Sequence, residues 1–278
     1  MQEYLGVDLG GTNFKAGRVK DGAIISEAYN SVHRDSSKSE LIQTLFKTID
    51  EVITENVKGI GVGVPGIVDS VSGVIYDILN LPMWKEVPLQ NLLEQRYGLP
   101  VFLNNDANCF VKGEKIYGKG TSYSNFVGLS IGTGLGMGVI INDQLYTGVM
   151  CGAGEIGMVI YKDSIIEHYA SSLFFERKYN QNAKEMSILA KKGDVTALKA
   201  FSEFGEHLGN AIINILYMYA PEAIVMGGSI SKSYALFKGP MEETLKSFAY
   251  TKQLERLKIE VSTLSGIAIL GAAALCVE

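Results

Sequence analysis

Residues 4–31 and 126–149 of this chain repeat one pattern. The first stretch reads YLGVDLGGTNFKAGRVKDGAIISEAYNS and the second FVGLSIGTGLGMGVIINDQLYTGV. Ser130, Gly132 and Asp143 fall under Asp8, Gly10 and Asp21 at a constant offset of 122 residues. In each copy an apolar run enters a glycine turn, a second run leaves it, and a polar turn leads to a third. Alternation of that kind predicts three short antiparallel strands joined by tight turns. A hairpin repeated at a constant offset points to an architecture duplicated within one chain.

The segments after each hairpin agree. Residues 39–54 (SELIQTLFKTIDEVIT) have helical spacing, with Ser37 or Ser39 as cap. GIGVGVPG at 59–66 predicts a buried strand running into a Gly-Pro-Gly loop. PLQNLLEQRY at 88–97 predicts a helix opened by Pro88 and closed by Gly98. VFLNND at 101–106 predicts a strand followed by a helix. After the second hairpin come a helix near 194–219, a strand at 223–226 entering Gly227-Gly228-Ser229, a further helix, a strand near 257–261 and a last helix at 266–276. The reading is an α/β architecture duplicated in one chain, with lobes over 1–118 and 119–265 and a boundary near 118–122. A cleft between two related lobes is the natural ligand site.

A length of 278 residues is enough for two lobes with their own cores. The 25 basic and 30 acidic residues leave a net charge of −5, which argues against nucleic acid or an anionic membrane as partner. No apolar stretch reaches transmembrane length, and the chain enters a strand with no signal peptide. Cys109, Cys151 and Cys276 are scattered and odd in number, which predicts a reducing cytoplasm, no disulfide framework and no Cys-rich zinc site.

DLGGT at 8–12 and GTGLGMG at 132–138 each close a hairpin. Glycine lets backbone N–H groups crowd round an anion, and Thr12 or Thr133 adds a hydroxyl donor. Either loop alone also reads as a plain tight turn. Neither is a P-loop, since GxxxxGK[ST] is absent, and strand alternation after DLGGT argues against a dinucleotide fold. Two such loops at equivalent places suggest two fingers that grip a polyphosphate. Asp8 beside the first could hold Mg²⁺ through water, or cap a turn. GGSIS at 227–231 could let a flat ring lie on the backbone, or enter a helix with Ser229 or Ser231 as cap. Asn105-Asp106 lies where a strand meets a helix, the edge at which α/β sheets bind ligands. Asp106 could accept a hydroxyl proton with Asn105 orienting that hydroxyl, or serve as an N-cap. His33, His168 and His207 have no metal-ligand spacing.

These motifs resemble the ROK sugar kinases, within the actin- and hexokinase-like superfamily of two-lobed phosphotransferases. The resemblance rests on DLGGTNFK (8–15), GIGVGVPGIVD (59–69), NLPMWKEVPL (80–89), NNDAN…KGE (104–114), GTGLGMG (132–138), AGE (153–155) and IVMGGSIS (224–231), in that order along the chain. It implies a duplicated actin-like (ribonuclease H-like) fold with mixed sheets and an interlobe cleft, and a C-terminal helix, 266–278, packing back on the first lobe. It implies ATP- and Mg²⁺-dependent phosphorylation of a hexose hydroxyl, usually O6, by a cytoplasmic homodimer. Asp8 would serve Mg²⁺. Gly10, Gly11 and Thr12, with Gly132 and Thr133, would hold the phosphates, and Gly227 and Gly228 the adenosine. Asp106 would be the general base, with Gly66, Asn105, Glu155 and Glu167 binding the sugar.

The stretch GAGEIGMVIYKDSIIEHYASS at 152–172 departs from the family pattern. Where the family continues Ile-Gly-His, Met158 follows Gly157, and the three-cysteine loop that binds structural zinc with that histidine is missing. The histidine is replaced by Met158 or deleted; the resemblance therefore implies no zinc here, and a sugar site without the imidazole, where a thioether would be only a weak acceptor. Glucose is the expected sugar, with N-acetylmannosamine, N-acetylglucosamine and β-glucosides as alternatives. A non-catalytic sugar-binding protein or a repressor relative is the reading of another class. Against the repressor stands a hairpin that starts at residue 4, leaving no room for a DNA-binding domain ahead of it.

Overall fold

The computed structural model describes residues 2–78 and 81–277. Asn80, which opens the NLPMWKEVPL motif, lies outside the described residues, as do Met1 and Glu278 at the outer limits of the two expected lobes. Each half of the chain builds one five-stranded mixed sheet. In the first, β1 (Glu3–Leu9), β2 (Asn13–Lys20) and β3 (Ala23–Ser31) form an antiparallel meander. After α1 (Lys38–Asp50), β4 (Val57–Val64) pairs parallel to β1. A small hairpin, β5 (Ile67–Asp69) and β6 (Val74–Asp77), precedes α2 (Leu89–Tyr97), and β7 (Val101–Asn105) then pairs parallel to β4 and runs straight into α3 (Asp106–Tyr117).

The second sheet repeats the plan. An antiparallel meander comes first: β8 (Phe126–Ile131), β9 (Leu135–Ile141) and β10 (Gln144–Tyr146). The two-residue strands β11 (Ile160–Tyr161) and β12 (Ser164–Ile165) follow. Helices α4 (Glu167–Ala170), α5 (Ser172–Tyr179), α6 (Ala183–Lys191) and α7 (Val195–Tyr219) lead to β13 (Ala223–Gly227), parallel to β8. Next come α8 (Tyr234–Leu245), α9 (Thr251–Arg256), β14 (Lys258–Val261), which pairs parallel to β13, and α10 (Ile267–Ala274). Strand orders β3-β2-β1-β4-β7 and β10-β9-β8-β13-β14 are the same arrangement twice. Among the described residues no helix is long and apolar enough to cross a membrane.

Local chemistry explains the element limits. Ser37 caps α1 in a reciprocal box: its backbone N–H donates to the Glu40 carboxylate at 2.7 Å, and its hydroxyl accepts the Glu40 N–H at 3.3 Å. The helix stops at Asp50, short of the predicted 54, because the chain must turn at 51–52 to enter β4. Gly98 closes α2 at φ 64°, the left-handed conformation that favours glycine. The predicted strand at 59–66 begins earlier and ends at Val64, so Gly66 falls in the loop beyond it, its N–H donating to Val64 O at 3.0 Å. The C-terminal helix covers 267–274, inside the expected 266–278. The pair β11 and β12 and the four-residue α4 are too brief to show a period, while α5 and α6, similar to α2 in length, are not among the predicted elements.

Helix α10 (IAILGAAA) is apolar on every side and buried over most of its length. It lies against the first sheet where β1 and β4 carry Gly6 and Gly61; a Cβ on Gly61 would collide with the Ala272 carbonyl oxygen. Beside it runs α3, and a Cβ on Gly113 would come within 2.8 Å of Gly271 Cα. The opposite side of α3 meets the second sheet, where a Cβ on Gly138 would come within 2.5 Å of Val111 and one on Gly227 would strike the Phe110 ring. Helix α3 thus touches both lobes. Gly61→Ala is expected to force α10 off the sheet and cost about 3 kcal/mol of unfolding free energy. Urea unfolding of the two proteins measures it, and a loss below about 1 kcal/mol would contradict the close packing.

Candidate active site

The β7–α3 junction places the central side chains. Asn105, with extended backbone, is the N-cap of α3, and Asp106 is the first helical residue. The Ala107 N–H is shared, donating to Asn105 Oδ1 at 2.8 Å and to Asp106 Oδ1 at 2.8 Å. The capping role that the sequence leaves open for Asp106 therefore belongs mainly to Asn105, and Asp106 Oδ2 has no hydrogen-bond partner among the described residues. Asn105 Nδ2 reaches toward Gly66 O at 3.5 Å, which brings the loop after β4 to the same place.

Asp106 is open to the cleft on one side and deep among protein atoms on the others. Burial pushes its carboxyl up to about 6; the Ala107 N–H opposes this, while the charges of Asp8 and Glu155 add to it. Asp8 stands near the end of β1, opposite Lys15 on β2 and Gly63 on β4. Burial raises its pKa, with the Lys15 ammonium opposing. Glu155 is raised by burial first and then by the charge of Glu167. Asp8, Asp106, Glu155 and Glu167 thus form a chain of carboxylates, drawn from both lobes, that feel one another's charge.

Around it lie the glycine turns. Gly10 N–H donates to Asn13 O at 3.0 Å, and Gly132 N–H to Gly134 O at 3.0 Å. These glycines use their own donors to close the turns. Gly11, Thr12, Thr133 and Gly134 are left with N–H groups that have no protein partner among the described residues. Gly228, at φ 85°, turns the chain at the end of β13, and Ser229 Oγ comes within 3.7 Å of where a Cβ on Gly132 would sit. No other atom comes within 4 Å of that point, so the second finger and the 227–229 turn border one open space. The chain goes on from this turn into a short 3-10 turn, Ile230–Ser233, and Ser231 Oγ donates to Gly228 O at 2.8 Å. Neither Ser229 nor Ser231 caps α8, which starts at Tyr234.

Glu167 opens α4 and accepts the Leu135 N–H at 2.9 Å through Oε2. It sits over Gly134 and beside Gly157, so one of its oxygens braces the second finger, and Oε1 has no partner among the described residues. Glu155 is exposed at the start of a turn, Ile156–Met158, and Met158 is 60 % exposed. His168 points elsewhere: its Nδ1 lies 2.6 Å from Ser164 Oγ, and the ring lines a separate cavity of about 300 Å³ with Lys162, Arg177 and His207. Asn104, Asn108 and Cys151, which sequence reasoning did not single out, join the site through hydrogen bonds described below. Asn104 lies in β7 and Asn108 in α3, so no helical spacing links them in the sequence; the strand-to-helix junction brings them together.

The chain belongs to the ROK family, whose pattern it matches over residues 4–278. It is 31% identical to a glucokinase from Thermotoga maritima, over 99% of this chain and 98% of that protein. It is 29% identical to a xylose repressor from Caldicellulosiruptor bescii, over 92% of this chain and 73% of that one. The crystal structure of a ROK family glucokinase from Streptomyces griseus in complex with glucose and AMPPNP matches with a TM-score of 0.84 at 25% identity, covering 98% of each chain. The fold is therefore the duplicated actin-like one of ROK sugar kinases, and the relatives include both kinases and repressors.

The raised Asp106 carboxyl predicts an unusual stability profile. Its folded pKa lies above the unfolded value, so the folded state holds more protons between about pH 4 and 6 and loses stability as pH rises through that window. Asp106→Asn is expected to stabilise the protein by about 1 kcal/mol at pH 8, allowing for the carboxylate's access to solvent, and to change little near pH 4. Urea unfolding at the two pH values measures it; a destabilised variant at pH 8 would contradict the electrostatics.

Proposed function

We propose that this chain is an ATP-dependent sugar kinase that transfers the γ-phosphate of ATP to a hexose hydroxyl, with O6 of glucose the first choice. The observation that carries this reading is Asp106: a carboxylate tuned to about 6, with a free Oδ2, at a helix N-terminus between two glycine fingers. A base for a neutral hydroxyl works best with a pKa near the operating pH. The 31% identical glucokinase and the glucose-bound structure support the same choice of reaction.

The roles follow from position. Asn105, Glu155 and the free oxygen of Glu167 bind sugar hydroxyls, with Gly66 at the loop that meets Asn105. Asp106 takes the proton of the acceptor hydroxyl as that oxygen bonds to the γ-phosphorus. The bond from phosphorus to the bridging oxygen breaks and ADP leaves. The unpaired N–H groups of Gly11, Thr12, Thr133 and Gly134 face the phosphate charge, with Gly10 and Gly132 permitting the close approach, and Gly227 and Gly228 floor the adenosine side. Positioning and electrostatics supply most of the rate in such transfers. Asp8 suits Mg²⁺ held through water: it is a hard oxygen donor near the first glycine finger, and its charge acts on Asp106. When bound, the ion would neutralise phosphate charge.

The xylose repressors favour a second reading, a sugar-binding protein without transfer. A coupled assay of ADP release over glucose, mannose, fructose, N-acetylglucosamine, N-acetylmannosamine and cellobiose separates the two. The kinase reading expects sugar-dependent ADP with at least one of them, greatest with glucose. No turnover with any favours the binding protein. Asp106→Asn is expected to keep ATP affinity and lower kcat by at least about a hundredfold. In the wild type, kcat/KM is expected to rise with pH through an apparent pKa of about 6, since the base must be ionised. A limb in the ordinary carboxylate range near 4, or near-normal turnover in the variant, would sink the assignment of Asp106.

A further inference from the structure

Glu155 is carried on a strap, residues 147–157, that is anchored in both lobes. Cys151 belongs to the apolar core of the first lobe and is 2% exposed. Ile156, also 2% exposed, belongs to the core of the second. Glu155 stands between these two anchors. Within the strap the Ala153 N–H donates to Thr147 O at 3.0 Å, the Ile156 N–H to Gly154 O at 2.7 Å and the Met158 N–H to Glu155 O at 3.1 Å.

The first-lobe anchor is strained. Met150 and Cys151 both have positive φ, 53° and 56°, a conformation costly for side chains with a Cβ and kept only where the surroundings hold it. Burial of Cys151 in the first-lobe core holds it, joined by one long hydrogen bond from Asn108, buried on α3 close to Asp106. Its Nδ2 donates to Asn104 Oδ1 at 2.9 Å and to Cys151 O at 3.4 Å. Asn104 Oδ1 also accepts the N–H of Asn105, the cap of α3, at 2.9 Å. The Asn108 Oδ1 atom is buried with no partner. Turning the amide over would set acceptor against acceptor at both contacts, so the residue is kept for its donors although its acceptor goes unmet.

We propose that Asn108 is a positioning residue for sugar phosphorylation, tying the strap at Cys151 to the start of α3 and so setting Glu155 relative to Asp106. The sugar is then held by carboxylates whose separation is fixed by an amide that touches neither sugar nor phosphate. This rests on the kinase reading for its consequence, though not for the tie itself.

Asn108→Leu removes both donors and the unmet acceptor while keeping the number and branching of side-chain heavy atoms, at the cost of a larger volume. Two measurements are made on the full chain. In hydrogen exchange without ligand, the amides of Ala153, Ile156 and Met158 are expected to exchange at least about tenfold faster, with those of β13 unchanged. In steady-state kinetics the KM for the sugar is expected to rise at least about tenfold, with the KM for ATP within about twofold. Asn108→Ala, which cannot overpack, takes the same measurements should leucine not be accommodated. Unchanged exchange in the strap would overturn the proposal. So would faster exchange with an unchanged sugar KM, or both KM values rising together as a general loss of structure would produce. If the wild type forms no ADP with any sugar, the kinase reading fails, while the exchange data still decide whether Asn108 holds the strap.

Discussion

The close approach of α3 to both sheets is the constraint on which the rest depends. On one side the helix meets α10 at Gly113 and Gly271; on the other, Phe110 and Val111 fill the space above Gly227 and Gly138. Contacts this tight leave the helix no room to slide. Its N-terminus is therefore fixed relative to β1 in one lobe and β8 in the other, and so is Asp106. The two glycine fingers follow β1 and β8, so duplication and the shared helix together set fingers and carboxylate in one frame.

Charge completes the picture. A carboxylate crowded by protein atoms normally finds a cation or several N–H donors. Asp106, open to the cleft, has a shared N–H and the influence of two other carboxylates, while Lys15 acts on Asp8. Such a site is poised to take up positive charge, whether a hydroxyl proton or a hard cation. The crowding that raises the Asp106 carboxyl also costs folding free energy, a balance common where carboxylates converge.

The legibility of this fold in sequence varied with the kind of signal. The duplicated hairpins are readable because period-two alternation and glycine turns depend on local chemistry alone; they set the first three strands of each sheet, and tertiary packing sets the two parallel strands added to each. The β7–α3 cap was ambiguous because Asn105 and Asp106 both carry a side-chain oxygen able to reach the same N–H, and both do. The β5–β6 hairpin and α4 are too short for periodicity to speak. Cys151 stands after the second hairpin yet is buried with the first lobe, a route set by tertiary packing. Glu167, matched to a sugar contact by resemblance, also takes the Leu135 N–H, which no spacing rule foretells. The stretch at 152–172 owes its interest less to a motif than to the strap at its start, which leaves the first-lobe core at Cys151 and enters the second at Ile156.

The central claim is that Asp106 faces a sugar hydroxyl across the cleft. A crystal structure of this chain with glucose and a non-hydrolysable ATP analogue tests it most directly. The account predicts one sugar hydroxyl within about 2.6–3.2 Å of Asp106 Oδ2, in line with the γ-phosphorus, and another on Glu155. A sugar bound in the cleft with no hydroxyl in reach of Asp106 would contradict it.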